Sequence, residues 1–102
     1  MKYKVCKVSD VESEFPLAVE IEGLPPLSVF KADGTFYVTD NTCTHGAALM
    51  SDGFQDGHIA ECPFHGGAFD IRNGQPVAAP CKKPLKTYRT YVENGDVFIE
   101  NT

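Results

Sequence analysis

Apolar and polar residues alternate in short runs along the whole chain, and no long amphipathic stripe interrupts them. A period of two marks half-buried strands, because successive side chains of a strand point to opposite faces. Such runs cover residues 3–8, 17–21, 27–32, 35–39, 58–61, 68–71, 87–93 and 96–100. Asp33-Gly34 and Asn94-Gly95 separate adjacent runs and predict two-residue hairpins, since both residue pairs tolerate positive φ. Asn73-Gly74 predicts a further reversal. Residues 9–14 have the spacing of a helix start, with Glu12 three residues after Ser9, but Pro16 closes it after little more than one turn. The pattern predicts an all-β chain.

Composition narrows this to one small domain, 1–102. The chain has 102 residues, 42% of them apolar, and no internal repeat, so it buries a modest core and has no room for a second catalytic domain. Its formal charge of −5 is uneven: residues 1–61 carry ten acids against four bases, and residues 62–102 four acids against five bases. An acidic chain without an extended basic surface argues against nucleic acid. The acidic stretch reads as a solvated face or as steering toward a basic partner, an effect on encounter rate that salt weakens. Lys82, Lys83, Lys86 and Arg89 could face an acidic one. The amino terminus has no apolar h-region or twin arginine and no run reaches the length of a membrane span, so a cytoplasmic protein without a membrane anchor is expected. G-x-G-x-x-G and G-x-x-x-x-G-K-[ST] are absent, which leaves no nucleotide or flavin fingerprint.

Chemistry concentrates in Cys43-Thr44-His45-Gly46 and Cys62-Pro63-Phe64-His65-Gly66-Gly67. Each motif, C-x-H and C-x-x-H, offers one thiolate and one imidazole from a single curved loop, with sixteen residues between His45 and Cys62. Two cysteines and two histidines can close a structural zinc shell, although zinc fingers usually pair Cys with Cys and His with His along the chain. The pattern is better suited to a 2Fe-2S cluster in which two thiolates hold one iron and two imidazoles the other, since each loop then supplies one ligand of each kind. A Cys43–Cys62 disulfide is a third option, but nothing in the chain points to an oxidising compartment. Glycines at 46, 66 and 67 let the backbone close in, so that amide N–H groups can face sulfur. Cys6 reads as a small buried apolar residue of the first strand. His58 reads as a surface or strand residue.

The two motifs and nearly the whole chain resemble the Rieske ferredoxins. That resemblance implies an antiparallel β-sandwich base with a small inserted cluster-binding subdomain at about 42–84, and one 2Fe-2S cluster. It assigns Cys43 and Cys62 to the inner iron and His45 and His65 to the outer iron. Neutral imidazoles make the outer iron easier to reduce, which places the electron there. Membrane-anchored Rieske subunits carry an additional cysteine in each loop, joined as a disulfide; here those positions are Ala48 and Phe64. Rieske oxygenase subunits hold a mononuclear iron with two histidines and a carboxylate, whereas only His58 remains in this chain once His45 and His65 are used. The resemblance therefore implies an electron carrier and not an enzyme. Its expected partners are an NAD(P)H-dependent flavoprotein reductase and a terminal oxygenase of aromatic ring hydroxylation, met as a monomer in transient complexes. A small electron-input or regulatory subunit, bound permanently to a larger oxidoreductase, is the alternative.

Phe30, Tyr37, Val38, Tyr91, Phe98 and Ile99 are then expected to pack the base, and Phe69 and Ile71 the subdomain. Residues 76–81 resemble the proline-containing loop that covers the cluster, and Cys81 within them is expected to have a packing role. Ala47, Phe64 and Pro80-Cys81 flank the ligands and are candidates for a docking rim.

Overall fold

The computed structural model describes residues 1–44, 46, 48–63 and 66–101. Its strands are β1 (Lys2–Lys7), β2 (Leu17–Val19), β3 (Leu27–Ala32), β4 (Thr35–Asp40), β5 (Phe54–Asp56), β6 (Ile59–Glu61), β7 (Ala68–Asp70), β8 (Pro76–Ala78), β9 (Thr87–Glu93) and β10 (Asp96–Glu100). Six form an antiparallel sheet in the order β1-β10-β9-β4-β3-β2, and four form a smaller one in the order β5-β6-β7-β8. Every run read from alternation contains a strand. β5 and β8 lay outside those runs.

The hairpin signals act as their residues dictate. Asp33 and Gly34 have φ of 52° and 76°, and Asn94 and Gly95 have 51° and 80°, the positive pair that joins strands with the native twist. The expected helix start is a single 3-10 turn at Val8–Asp10, and its cap differs from expectation. The Asp10 carboxylate accepts from the Lys7 backbone N–H at 3.0 Å, so the reciprocal contact sits two residues before the Ser9–Glu12 pair. In β1 a bulge between Lys4 and Cys6 breaks the alternation and lets both Val5 and Cys6 turn inward.

β4 and β9 meet through only two residue pairs, Val38–Tyr88 and Thr39–Thr87. The three-stranded halves on either side of that junction share one core of Val5, Cys6, Val11, Leu27, Val29, Val38, Tyr88, Val97 and Ile99. β3 serves two cores. Leu27 and Val29 face this one, while Phe30 and Ala32, on the opposite face, join Met50, Ala60, Phe69, Ile71 and Leu85 in a second. With both faces covered, β3 is buried along nearly its whole length. The buried hydroxyls of Ser28 and Thr39, cross-strand partners on β3 and β4, satisfy each other at 2.9 Å.

Val38, Ile99, Phe69 and Ile71 pack as expected. Phe30 and Tyr37 do not belong to the base core; they pack in or against the second core, which contains Cys43, Cys62 and Cys81. Tyr91 and Phe98 lie on the outer surface, stacked at 5.8 Å, with the Lys2 ammonium 4.4 Å from the Phe98 ring centre. They are cross-strand partners on β9 and β10. A cation over two rings is stable half-exposed, so their size does not force them inward.

The turn after β7 is held by Asp70, whose carboxylate accepts from the Arg72 backbone N–H at 2.9 Å and from its guanidinium at 3.0 and 2.8 Å. Those bonds hold the carboxyl below its ordinary value of 3.8, against the effect of burial. An unfolded chain takes up this proton before the folded one. The stabilisation is therefore complete above about pH 4 and is lost as the pH falls through the folded value. Denaturant titrations should show Asp70→Asn less stable than wild type by about 1.5–3 kcal/mol at neutral pH, the contribution of bonds to a charged group. The gap should close on acidification.

Candidate metal centre

Two hairpin-like loops project from the second core, and their backbones close in the same way. The Cys43 N–H donates to the Ala48 carbonyl at 2.9 Å, and the Cys62 N–H donates to the Gly67 carbonyl at 2.7 Å. Each ring thus starts at a cysteine and ends five residues later. The spacings C-x-H and C-x-x-H differ by one residue, yet the loops that hold them are closed alike. The first loop grows from β4 through an isolated bridge between Thr42 and Leu49. Asn41 pins its stem, accepting from the Ser51 backbone N–H at 2.8 Å and donating to the Ser51 hydroxyl at 2.9 Å. The second loop is the connection between β6 and β7.

Cys43 and Cys62 are each only 3% exposed and lie in one apolar cluster with Phe30, Met50 and Phe69. His45 and His65, with Ala47 and Phe64, lie outside the described residues. His58 sits in the turn between β5 and β6, 3.7 Å from the Asp33 carboxylate and edge-on to the Tyr37 ring at 5.7 Å.

A third segment closes over the loops. Thr44 donates its hydroxyl to the Lys83 carbonyl at 2.8 Å, and the Leu85 N–H donates to the Gly74 carbonyl at 2.8 Å. Between those anchors, past a cis peptide at Ala79-Pro80, lies Cys81. It is 6% exposed, and its sulfur is 4.0 Å from that of Cys43. The Cys81 side chain points inward and offers nothing to a docking rim, while Pro80 beside it is half-buried. Burial, and then the neighbouring Cys43 and Cys62, push its thiol up to about 11. Cys6, remote in the base core, is also raised to about 11, chiefly by burial. No disulfide joins the cysteines.

Of the three loop glycines, only Gly67 is tightly packed. A Cβ on Gly46 or Gly66 would meet nothing within 4 Å among the described residues, whereas one on Gly67 would overlap the Cys81 sulfur. Gly67→Ala should cost about 1–3 kcal/mol, as overpacking of a dense core does. Most of that loss should return in Gly67→Ala/Cys81→Ala, because the second change removes the colliding atom. Urea denaturation of the single and double variants measures the coupling; additive losses would show that the two sites do not share this space.

Residues 1–89 match the family model described as the Rieske [2Fe-2S] domain. The chain belongs to that family. Among its relatives, the "Naphthalene 1,2-dioxygenase system, ferredoxin component" of Pseudomonas putida is 42% identical over 91% of this chain and 88% of its own length. A solved Sphingomonas yanoikuyae B1 ferredoxin superposes with a TM-score of 0.97, at 49% identity over the full length of both chains. The structure titled "Complex of reduced oxygenase and oxidized ferredoxin in carbazole 1,9a-dioxygenase" matches with a TM-score of 0.90, at 42% identity over 96% of this chain and 91% of that one.

The cofactor is one Rieske-type 2Fe-2S cluster, and the described donors fit it. The soft thiols of Cys43 and Cys62 are buried in one apolar core, on loops closed by equivalent backbone bonds, as a cluster held partly by thiolates requires. The zinc reading falls with the family assignment. Among the described residues no helix is long and apolar enough to cross a membrane.

Proposed function

We propose that this chain is a one-electron carrier of a multicomponent oxygenase, receiving electrons from an NAD(P)H-dependent flavoprotein reductase and delivering them to a terminal oxygenase. The cluster would be held by Cys43 and Cys62 on one iron and by His45 and His65 on the other, within a cluster-binding subdomain of about residues 42–84. A bound 2Fe-2S cluster supplies a one-electron couple and no substrate chemistry. The chain's own residues would support it there: the Cys43–Ala48 and Cys62–Gly67 bonds hold the loops, Phe30 and Phe69 would keep water from beneath them, and Thr44 ties the covering segment down.

The identical closure of the two cysteine loops carries this reading, because it gives two motifs of unequal spacing the same stem. The ferredoxin–oxygenase complex among the structural relatives supports the choice of terminal partner. Transfer would be transient, through a small contact at the loop tips. Anaerobic stopped-flow mixing tests it. A catalytic amount of reductase with NAD(P)H should bleach the oxidised chain, and the terminal oxygenase should restore its colour. Copurification with an oxidoreductase in fixed stoichiometry, without exchange, would instead favour the permanent subunit.

A further inference from the structure

The Cys81 thiol has no place in the ligand set, yet the fold brings it against that set. Its sulfur lies 4.0 Å from the Cys43 sulfur, within reach of a sulfur–sulfur hydrogen bond, in a site closed to water. Three features hold it there. The Cys81 backbone N–H donates to the Ala78 carbonyl at 3.2 Å, the Thr44–Lys83 bond fixes the following residues, and Gly67 leaves open the space that the sulfur fills. Either sulfur of the pair could donate in a chain of free thiols. A ligating Cys43 has no proton, which leaves Cys81 as the donor.

We propose that Cys81 donates an S–H···S hydrogen bond to the Cys43 sulfur and thereby makes the centre easier to reduce. The proposal rests on Cys43 being a cluster ligand. A donor to a ligand sulfur stabilises whichever redox state carries more negative charge, which is the reduced one. Cys81 is a positioning residue in this account: it touches the ligand and not the electron's donor or acceptor.

Infrared difference spectroscopy of the holoprotein tests it directly. With Cys43 and Cys62 ligating, two thiols remain, so two S–H stretching bands are expected, and Cys6→Ala assigns them by removing one. On reduction the Cys81 band should move to lower frequency as the cluster that its acceptor ligates gains negative charge, while the Cys6 band stays still. A Cys81 band that does not move overturns the proposal. A third S–H band at full iron and sulfide content would show that a loop cysteine does not ligate, overturning the ligand assignment and this proposal with it.

Voltammetry gives the second reading. Cys81→Ala should lower the midpoint, so that the reduced-to-oxidised ratio at the wild-type midpoint falls by about threefold or more, the scale of one buried hydrogen bond. Cys81→Ser, which keeps a donor, should stay nearer to wild type. Equal falls in both variants, or no fall in either, would assign Cys81 to packing alone and overturn the proposal. If Cys81→Ala does not retain the cluster, the infrared result on wild-type residues decides.

Discussion

Replacing His45 or His65 by Ala is expected to abolish the visible spectrum of the Rieske centre, and Cys43→Ala or Cys62→Ala to do the same. Iron and acid-labile sulfide should fall from the full 2Fe-2S complement toward none. The effect is large because neither loop has a second imidazole, and because Cys43→Ala is made in a Cys81→Ala background that removes the thiol 4.0 Å from the Cys43 sulfur. His58 is the one remaining histidine, and it stands in the β5–β6 turn beside Asp33 and Tyr37. His58→Ala should therefore leave absorption and electron paramagnetic resonance spectra unchanged. Cys6→Ala should do so too, since Cys6 packs in the base core among Val11, Val97 and their neighbours. Iron analysis and the spectrum of the reduced state check all six variants. A changed cluster spectrum in His58→Ala would show that the histidines are misassigned.

Strands with two independent signals were legible in the sequence to within a residue, β4 running one residue past its expected end at Thr39. β3, β9 and β10 span 27–32, 87–93 and 96–100 as alternation predicts, because turn residues with positive φ fix the ends that alternation leaves loose. β5 and β8 lacked any such signal. Each is three residues long and sits at an edge of the small sheet, where pairing on one side suffices. Phe54 in β5 is exposed despite its size, and β8 begins with Pro76, which has no N–H to give to a ladder. Such strands exist through their partners and leave little periodicity of their own.

The family was legible in the two motifs because a mixed thiolate–imidazole site, as proposed for them, would restrict residue type and spacing together. The surroundings of that site were not. Phe30 reads as base core in a strand pattern, since alternation separates two faces without saying which layer covers each. Cys81 stands 38 residues from Cys43, and its contact depends on a gap at Gly67 that only the folded chain reveals. The contact of Cys81 with the Cys43 thiol is thus a tertiary property: the turn at Gly74, the covering segment and the second loop must all be in place first.

That dependence makes Gly74→Ala the substitution outside the ligands with the largest expected effect on the centre. Gly74 has a φ of 77°, in the left-handed region that side chains disfavour by roughly 1–2 kcal/mol. Its backbone is also committed on both sides, donating to the Asp70 carbonyl at 2.7 Å and accepting from the Leu85 N–H at 2.8 Å. An added Cβ would overlap the Leu85 carbonyl oxygen and lie 3.2 Å from the Thr87 Cγ2. The colliding atom is backbone, so no rotamer change relieves it. Leu85 is 2% exposed in the core that holds Cys43, Cys62 and Cys81, and any retreat of its carbonyl pulls on that core. Gly34 provides the control: its φ is 76°, and a Cβ there would meet nothing within 4 Å. Gly34→Ala should lose only about 1–2 kcal/mol, the backbone share. Gly74→Ala should lose about 3 kcal/mol or more, the range reached when strain adds to overpacking, and should hold iron less well. Urea denaturation of the two holoproteins, with iron content measured on each, compares them at matched φ. Equal losses would mean that the Leu85 contact relaxes freely, and that the covering segment is not braced through this turn.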